Sequence, residues 1–203
     1  MGEYTSDEQL IRRKEIPEDA VEFGIVSNLA SEMGRGFVML LPVFALMVFL
    51  TVMRVKAVDY KLHMDLNTVL SFIGIIVCVH FLTLLHEVIH ALFYPAEAEK
   101  TIWRSIKDGA YFVYCEEMIT RERFIAMCLA PMVILGIIPF IIWMIFPFVI
   151  PMPYTLAVVI VTWFMTIMSM GDVANVYHVI KEVPKGARIF NYGLLRSFYM
   201  KEK

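Results

Sequence analysis

The sequence predicts an all-α polytopic membrane protein of about four transmembrane helices, with a short β-strand or hairpin in the loop between the second and third spans. Three observations carry this reading. The chain is 59% apolar and only 19% charged, with a mean hydropathy of +0.68, which is too oily for a water-soluble domain of 203 residues. Its apolar residues cluster in runs near 37–53, 66–94, 124–148 and 154–180, each at least the ~17 residues that a bilayer crossing needs. Lys and Arg are divided unevenly among the segments joining those runs, fifteen on one side against three on the other.

Taken in order, residues 1–36 form a polar N-terminal segment. No short apolar core with a small-residue cleavage site is visible in it, so the first span is expected to act as its own targeting signal. Within it, "IPEDAVEFGIVSNLASEMGRG", residues 16–36, has Pro17 at a natural first-turn position. Val21, Ile25, Leu29 and Met33 follow at helical spacing, and Gly34 is a stop. This predicts an amphipathic helix, either lying on the cytoplasmic membrane surface or packed on the cytoplasmic loops. The four-span core occupies residues 37–180, and Pro42 near the start of its first span is tolerable in a bundle. The basic tail, residues 181–203, mixes Lys and Arg with aromatic residues, which suits a headgroup-level anchor.

Basic residues are retained on the cytoplasmic side. Arg12, Arg13, Lys14 and Arg35 precede the first span, five more lie between the second and third, and six follow the fourth. Both termini and the loop at residues 95–123 are therefore expected in the cytoplasm. That loop contains "GAYFVYCEE", residues 109–117, an aromatic and β-branched stretch behind the turn-forming "KDG". It predicts a strand, paired with residues near 100–106, that either offers a free edge to an extended peptide or only covers the bundle. Cys78, Cys115 and Cys128 are separated and form no CxxC, which makes them packing residues. The net charge of −2 leaves the positive charge explained by topology, and no nucleic-acid partner is expected.

Chemistry enters with "HEVIH", late in the second span. His86 and His90 are four residues apart, so they share a helix face and lie ~6 Å apart along its axis, where two imidazoles can hold one metal. Glu87 is rotated by about 100° from His86, placed to act on a water at the metal as a general base. A random shuffle of this composition yields the pattern roughly once in a hundred sequences. Ionisable groups in a span cost on the order of 3 kcal/mol each and are rarely kept without a partner or a task.

A zinc site needs a third protein ligand. The remaining histidines are His63, His80 and His178, and the one acidic residue in residues 124–181 is Asp172. Asp172 is the best candidate. It is a lone carboxylate within the fourth span, and it precedes Lys181 by nine residues, just as His86 precedes Pro95 by nine. Nine residues is ~14 Å of helix, so packed second and fourth spans would bring the two groups level. His178 reads as interfacial, about a turn and a half nearer the cytoplasm. His80 reads as a core hydrogen-bonding residue, with cavity lining as the alternative. Asn175, one turn after Asp172, either orients the aspartate, holds substrate, or is a packing amide.

With "HEVIH" in the second span, "APMVIL" in the third and "GD" with Asp172 in the fourth, residues 66–180 resemble the intramembrane zincins of the site-2 protease type. Within that group the chain resembles the small bacterial membrane proteins described as a putative zincin peptidase family. Site-2 proteases present their aspartate in an Asn-Pro-like or "LDG" context, whereas this chain has "MSMGDVAN". The resemblance implies one Zn2+ per chain held by His86, His90 and Asp172, with Glu87 as base. It also implies hydrolysis of a peptide bond of a membrane-associated protein, and a multi-pass protein of the bacterial plasma membrane. The partners expected are the lipid bilayer and the substrate, with a regulatory membrane partner or a homo-oligomer left open. The alternative is a non-hydrolytic zinc-binding membrane protein: a transporter, a sensor or a catalytically silent scaffold. Two histidines with a carboxylate also suit iron, cobalt or manganese, but HExxH with an adjacent base favours zinc.

Overall fold

A computed structural model describes residues 2–11, 15–25, 29–58, 65–107, 109–146 and 150–201. The chain runs β1 (Gly2–Glu3), a 3-10 turn (Asp7–Gln9), β2 (Val21–Phe23), α1 (Leu29–Val58), α2 (Leu66–Leu92), β3 (Thr101–Ser105), β4 (Ala110–Tyr114) and β5 (Ile119–Thr120). It continues through α3 (Arg121–Pro131), a π-helical stretch (Met132–Ile137), α4 (Ile138–Ile145), α5 (Met152–Met168), α6 (Met170–Glu182), β6 (Ala187–Asn191) and β7 (Ser197–Lys201). Four helical stretches, Leu29–Val58, Leu66–Leu92, Arg121–Ile145 and Met152–Glu182, are long and apolar enough to cross a membrane. Large apolar side chains such as Phe49, Ile142 and Ile145 are exposed. Such a surface suits lipid as its solvent.

Local chemistry sets the helix ends. The Asp65 carboxylate accepts the Thr68 backbone N–H at 2.8 Å and so caps α2. Thr120 caps α3 by accepting the Arg123 N–H at 3.2 Å. Two of the long stretches are irregular. The third passes through its π-helical turns between Pro131 and Pro139, each of which lacks an N–H for the regular ladder. The fourth is interrupted at Ser169, where ψ of 12° ends α5 before α6 begins. Ile89, Leu135 and Met165 form a small core where α2, the π stretch and α5 meet.

Strands gather at the end where α1 and α3 begin and α2 and α6 finish. One sheet has the order β1-β3-β4 and the other β2-β7-β6-β5. The hairpin of β3 and β4, in register from Thr101↔Tyr114 to Ser105↔Ala110, turns at Gly109, whose φ of +62° is open to glycine at little cost. A cluster including Phe23, Tyr94, Ile119, Met127, Val179 and Ile189 joins the helix ends to the second sheet. Cys115 and Cys128 are buried there and unpaired, while Cys78 is exposed. Burial pushes the Cys115 thiol up, away from reactive thiolate.

Two expectations for the chain ends are corrected. Residues 16–25 do not form an amphipathic helix: Val21–Phe23 is a strand on β7, and helix begins only at Leu29. Phe23 is buried against the tail and Gly24 takes φ of +61°, so tertiary pairing overrides the helical spacing. Residues 26–28 of that segment lie outside the described residues, as do Arg12, Arg13, Lys14 and His63. The tail is a β-hairpin with Phe190 and Phe198 buried and stacked at 5.6 Å, so these aromatics serve a core. Helix α1 also starts eight residues before the expected 37, because its polar first turns face α6 and find partners there.

Candidate metal centre

The last three turns of α2 carry His86, Glu87 and His90, which are only 4%, 7% and 6% exposed. Asp172 comes from α6, in the first turn after the Ser169 interruption. His86 Nε2 lies 3.1 Å from Asp172 Oδ2, and His90 Nε2 lies 3.3 Å from Asp172 Oδ1. One ligand atom from each of the three residues falls within 4.8 Å of the others. The His90 Nδ1–H donates to the Met127 carbonyl at 3.0 Å. Since a carbonyl can only accept, this bond fixes the tautomer and leaves Nε2 with its lone pair facing the carboxylate.

These residues fit zinc. Neighbouring donors on a tetrahedral ion with bonds of about 2.0–2.1 Å are about 3.3 Å apart. One ligand atom from each of the three residues lies within 4.8 Å of the others, and the two histidines reach opposite oxygens of Asp172 at 3.1 and 3.3 Å, so a small turn of the carboxylate brings one oxygen toward that spacing. Two imidazole nitrogens and one carboxylate oxygen are also the donor set of a hydrolytic site with an open fourth position. The Nδ1 atom of His86 is buried with no hydrogen-bond partner among the described residues.

Glu87 points elsewhere. Its Oε2 accepts the backbone N–H of Val113 at 2.9 Å. Val113 sits on β4, an edge strand whose other side pairs with β3. Sequence reasoning anticipated a strand there, with an edge, but not its hydrogen bond to Glu87. The alternation in "GAYFVY" shows only that two sides exist, while the packing of β4 along α2 shows which side meets Glu87.

A cavity of about 650 Å³ holds all four residues together with His80, Asn175 and His178. His80 is not a core hydrogen-bonding residue: it is exposed to the cavity and its ring meets Tyr111 of β4 edge-on at 6.2 Å. His178 is buried within the fold. It is 7% exposed, with Glu32 2.9 Å from its Nε2 and Glu182 2.7 Å from its Nδ1. Both ring nitrogens are engaged, which removes it from the ligand set. The opposing Glu32 lies 146 residues away in sequence, beyond any local signal. Asn175 is exposed and lines the cavity.

Architecture and site together define a helical protein with four stretches fit for a membrane and a His/His/Asp centre able to hold a metal ion. The sequence model of the family described as "Putative zincin peptidase" matches residues 79–188, just over half of the 203 residues, and the chain belongs to that family. That match begins just before His80 and ends past Asp172, enclosing every member of the candidate centre. No curated protein and no solved structure matches the chain.

Proposed function

We propose that the chain is a membrane-embedded, zinc-dependent peptidase of site-2-protease-like type that hydrolyses a peptide bond of a membrane-associated protein or peptide. The observation that carries this is the convergence of His86, His90 and Asp172 in one cavity with Glu87, along the free edge of β4. His86, His90 and Asp172 are assigned as ligands and Glu87 as general base. Bound there, zinc would acidify a water toward neutrality and polarise a scissile carbonyl. Glu87 keeps Oε2 on the Val113 amide, and its other oxygen takes the proton from water and passes it to the leaving amine. The Met127 carbonyl holds the His90 ring in its orientation throughout. Residues on a strand alternate in direction, so Tyr111 presents its backbone N–H and C=O on the same edge as Val113, suited to an extended substrate. The positive-inside bias orients the strand-bearing end and both termini toward the cytoplasm of a bacterial plasma membrane.

Metal content of the detergent-purified protein tests this. The expected result is about one zinc per chain in wild type and Glu87→Ala, and little in His86→Ala and Asp172→Ala. Absence of zinc from wild type after reloading would sink the reading. Zinc-dependent transport or regulation that survives Glu87→Ala would favour a non-hydrolytic site instead.

A further inference from the structure

Helix α1 supplies none of the three candidate ligands, yet it packs extensively against α6, the short helix that carries Asp172. The change of backbone angle at Ser169, ψ 12°, turns α6 from the line of α5 just before Asp172, so contacts made by α6 itself help to set where Asp172 sits. Two of these are with α1. At one, a Cβ built on Gly36 would overlap the carbonyl oxygen of Met170 and lie 2.5 Å from its carbon. Met170 is the first residue of α6, two before Asp172. At the other, Glu32, one turn before Gly36 and on the same face, lies 2.9 Å from His178 Nε2. Arg35 Nη1 joins them, 2.7 Å from that nitrogen and 3.3 Å from Glu32 Oε1. The clamp and the glycine seat thus grip α6 on both sides of Asp172.

We propose that Gly36 and Glu32 are positioning residues for the third ligand, with α1 acting as the rail that sets the height and rotation of α6 against the α2 histidines. This rests on the reading of Asp172 as a zinc ligand. The seat is backbone against backbone, so no rotamer change can relieve a side chain at Gly36. Real Cβ atoms essentially never come within 3.0 Å of another heavy atom. Clearing the Met170 carbon alone therefore moves the helices apart by 0.5 Å, the difference between 3.0 and 2.5 Å, and clearing the oxygen demands more. A metal site tolerates about 0.5 Å of misplacement. Gly34 makes a matched control, because a Cβ there meets nothing within 4 Å.

The experiment measures zinc affinity by competition with a chelator, and the visible spectrum of the Co2+-loaded protein, with helix content by circular dichroism as the fold control. Gly36→Ala is expected to weaken zinc by roughly 10–100-fold, as loss of support around a ligand does elsewhere, and to alter the cobalt bands while helix content holds. Gly34→Ala should match wild type. Asp172→Glu adds one bond of about 1.5 Å. It should weaken zinc in the wild-type background but strengthen it in the Gly36→Ala background, a reversal of sign that general destabilisation does not produce. If Gly36→Ala fails to fold, Glu32→Ala carries the test, and a several-fold weaker affinity is expected of it. Wild-type affinity and cobalt bands in Gly36→Ala, or in Glu32→Ala where that stands alone, overturn the proposal and leave the zinc reading intact. No zinc in wild type and Gly34→Ala alike refutes both.

Discussion

At the scale of single residues, the division of labour within "HEVIH" follows from helix geometry and is sharpened by each neighbour. His86 and His90 share a face and meet Asp172, while Glu87, one residue on, meets the strand edge instead. A base that is not a ligand can be removed without releasing the metal. Glu87→Gln is therefore expected to lower peptide cleavage by about 10²–10⁴-fold while zinc stays at its wild-type content, measured on the same preparation. Loss of zinc from Glu87→Gln would make Glu87 a fourth ligand and contradict this assignment. The histidines and Glu87 were legible because one helical turn brings them together by itself. Their partners Met127 and Val113 were not, since each offers only a backbone group, and every residue has one.

Among elements, β4 is the one whose placement has chemical consequence. Its Val113 N–H points away from β3 and toward Glu87, and proline is tolerated on an edge strand where no ladder bond is lost. Val113→Pro is thus expected to keep the hairpin and the zinc but to slow cleavage by about tenfold or more, the value of a hydrogen bond to a charged group. Unchanged kinetics in a folded, zinc-loaded Val113→Pro protein would show that the amide does not position the base. The four long apolar helices were readable from their apolar runs, and the hairpin from its turn and its β-branched residues. The interruption at Ser169 was not readable, because serine in an apolar helix is commonplace.

At the scale of the whole molecule, the N-terminal segment ties the two sheets together, with β1 beside β3 and β2 beside β7. Leu10 between them is 1% exposed, and Asp7 accepts the Leu194 N–H at 2.9 Å. The outer fastening is Glu22, held by Arg196 at 2.8 and 3.1 Å across 174 residues of chain. The Arg196 guanidinium lowers the Glu22 carboxyl from its usual 4.5. A lowered carboxyl adds stability that is present above the unfolded value and disappears as pH falls through the folded one. The pair is partly exposed, so Glu22→Gln is expected to cost only about 0.2–1 kcal/mol at pH 7. At pH 3 that difference should shrink, and thermal unfolding of both proteins in detergent at the two pH values checks it. A difference that grows toward acid would have the sign wrong.

Composition and periodicity alone determined the number of helices long and apolar enough to cross a membrane, the residues of the "HEVIH" face and the candidacy of Asp172, because an oily chain leaves few polar groups to explain. Tertiary structure decided what those groups touch. It turned part of an expected amphipathic helix into a strand, placed His178 in a buried cluster with two carboxylates, and set Glu87 against a strand edge. The physical reason is the same in each case. Apolar clustering and helical spacing are properties of neighbours along the chain, whereas a buried polar group is satisfied by whatever the fold brings to it from far away in sequence.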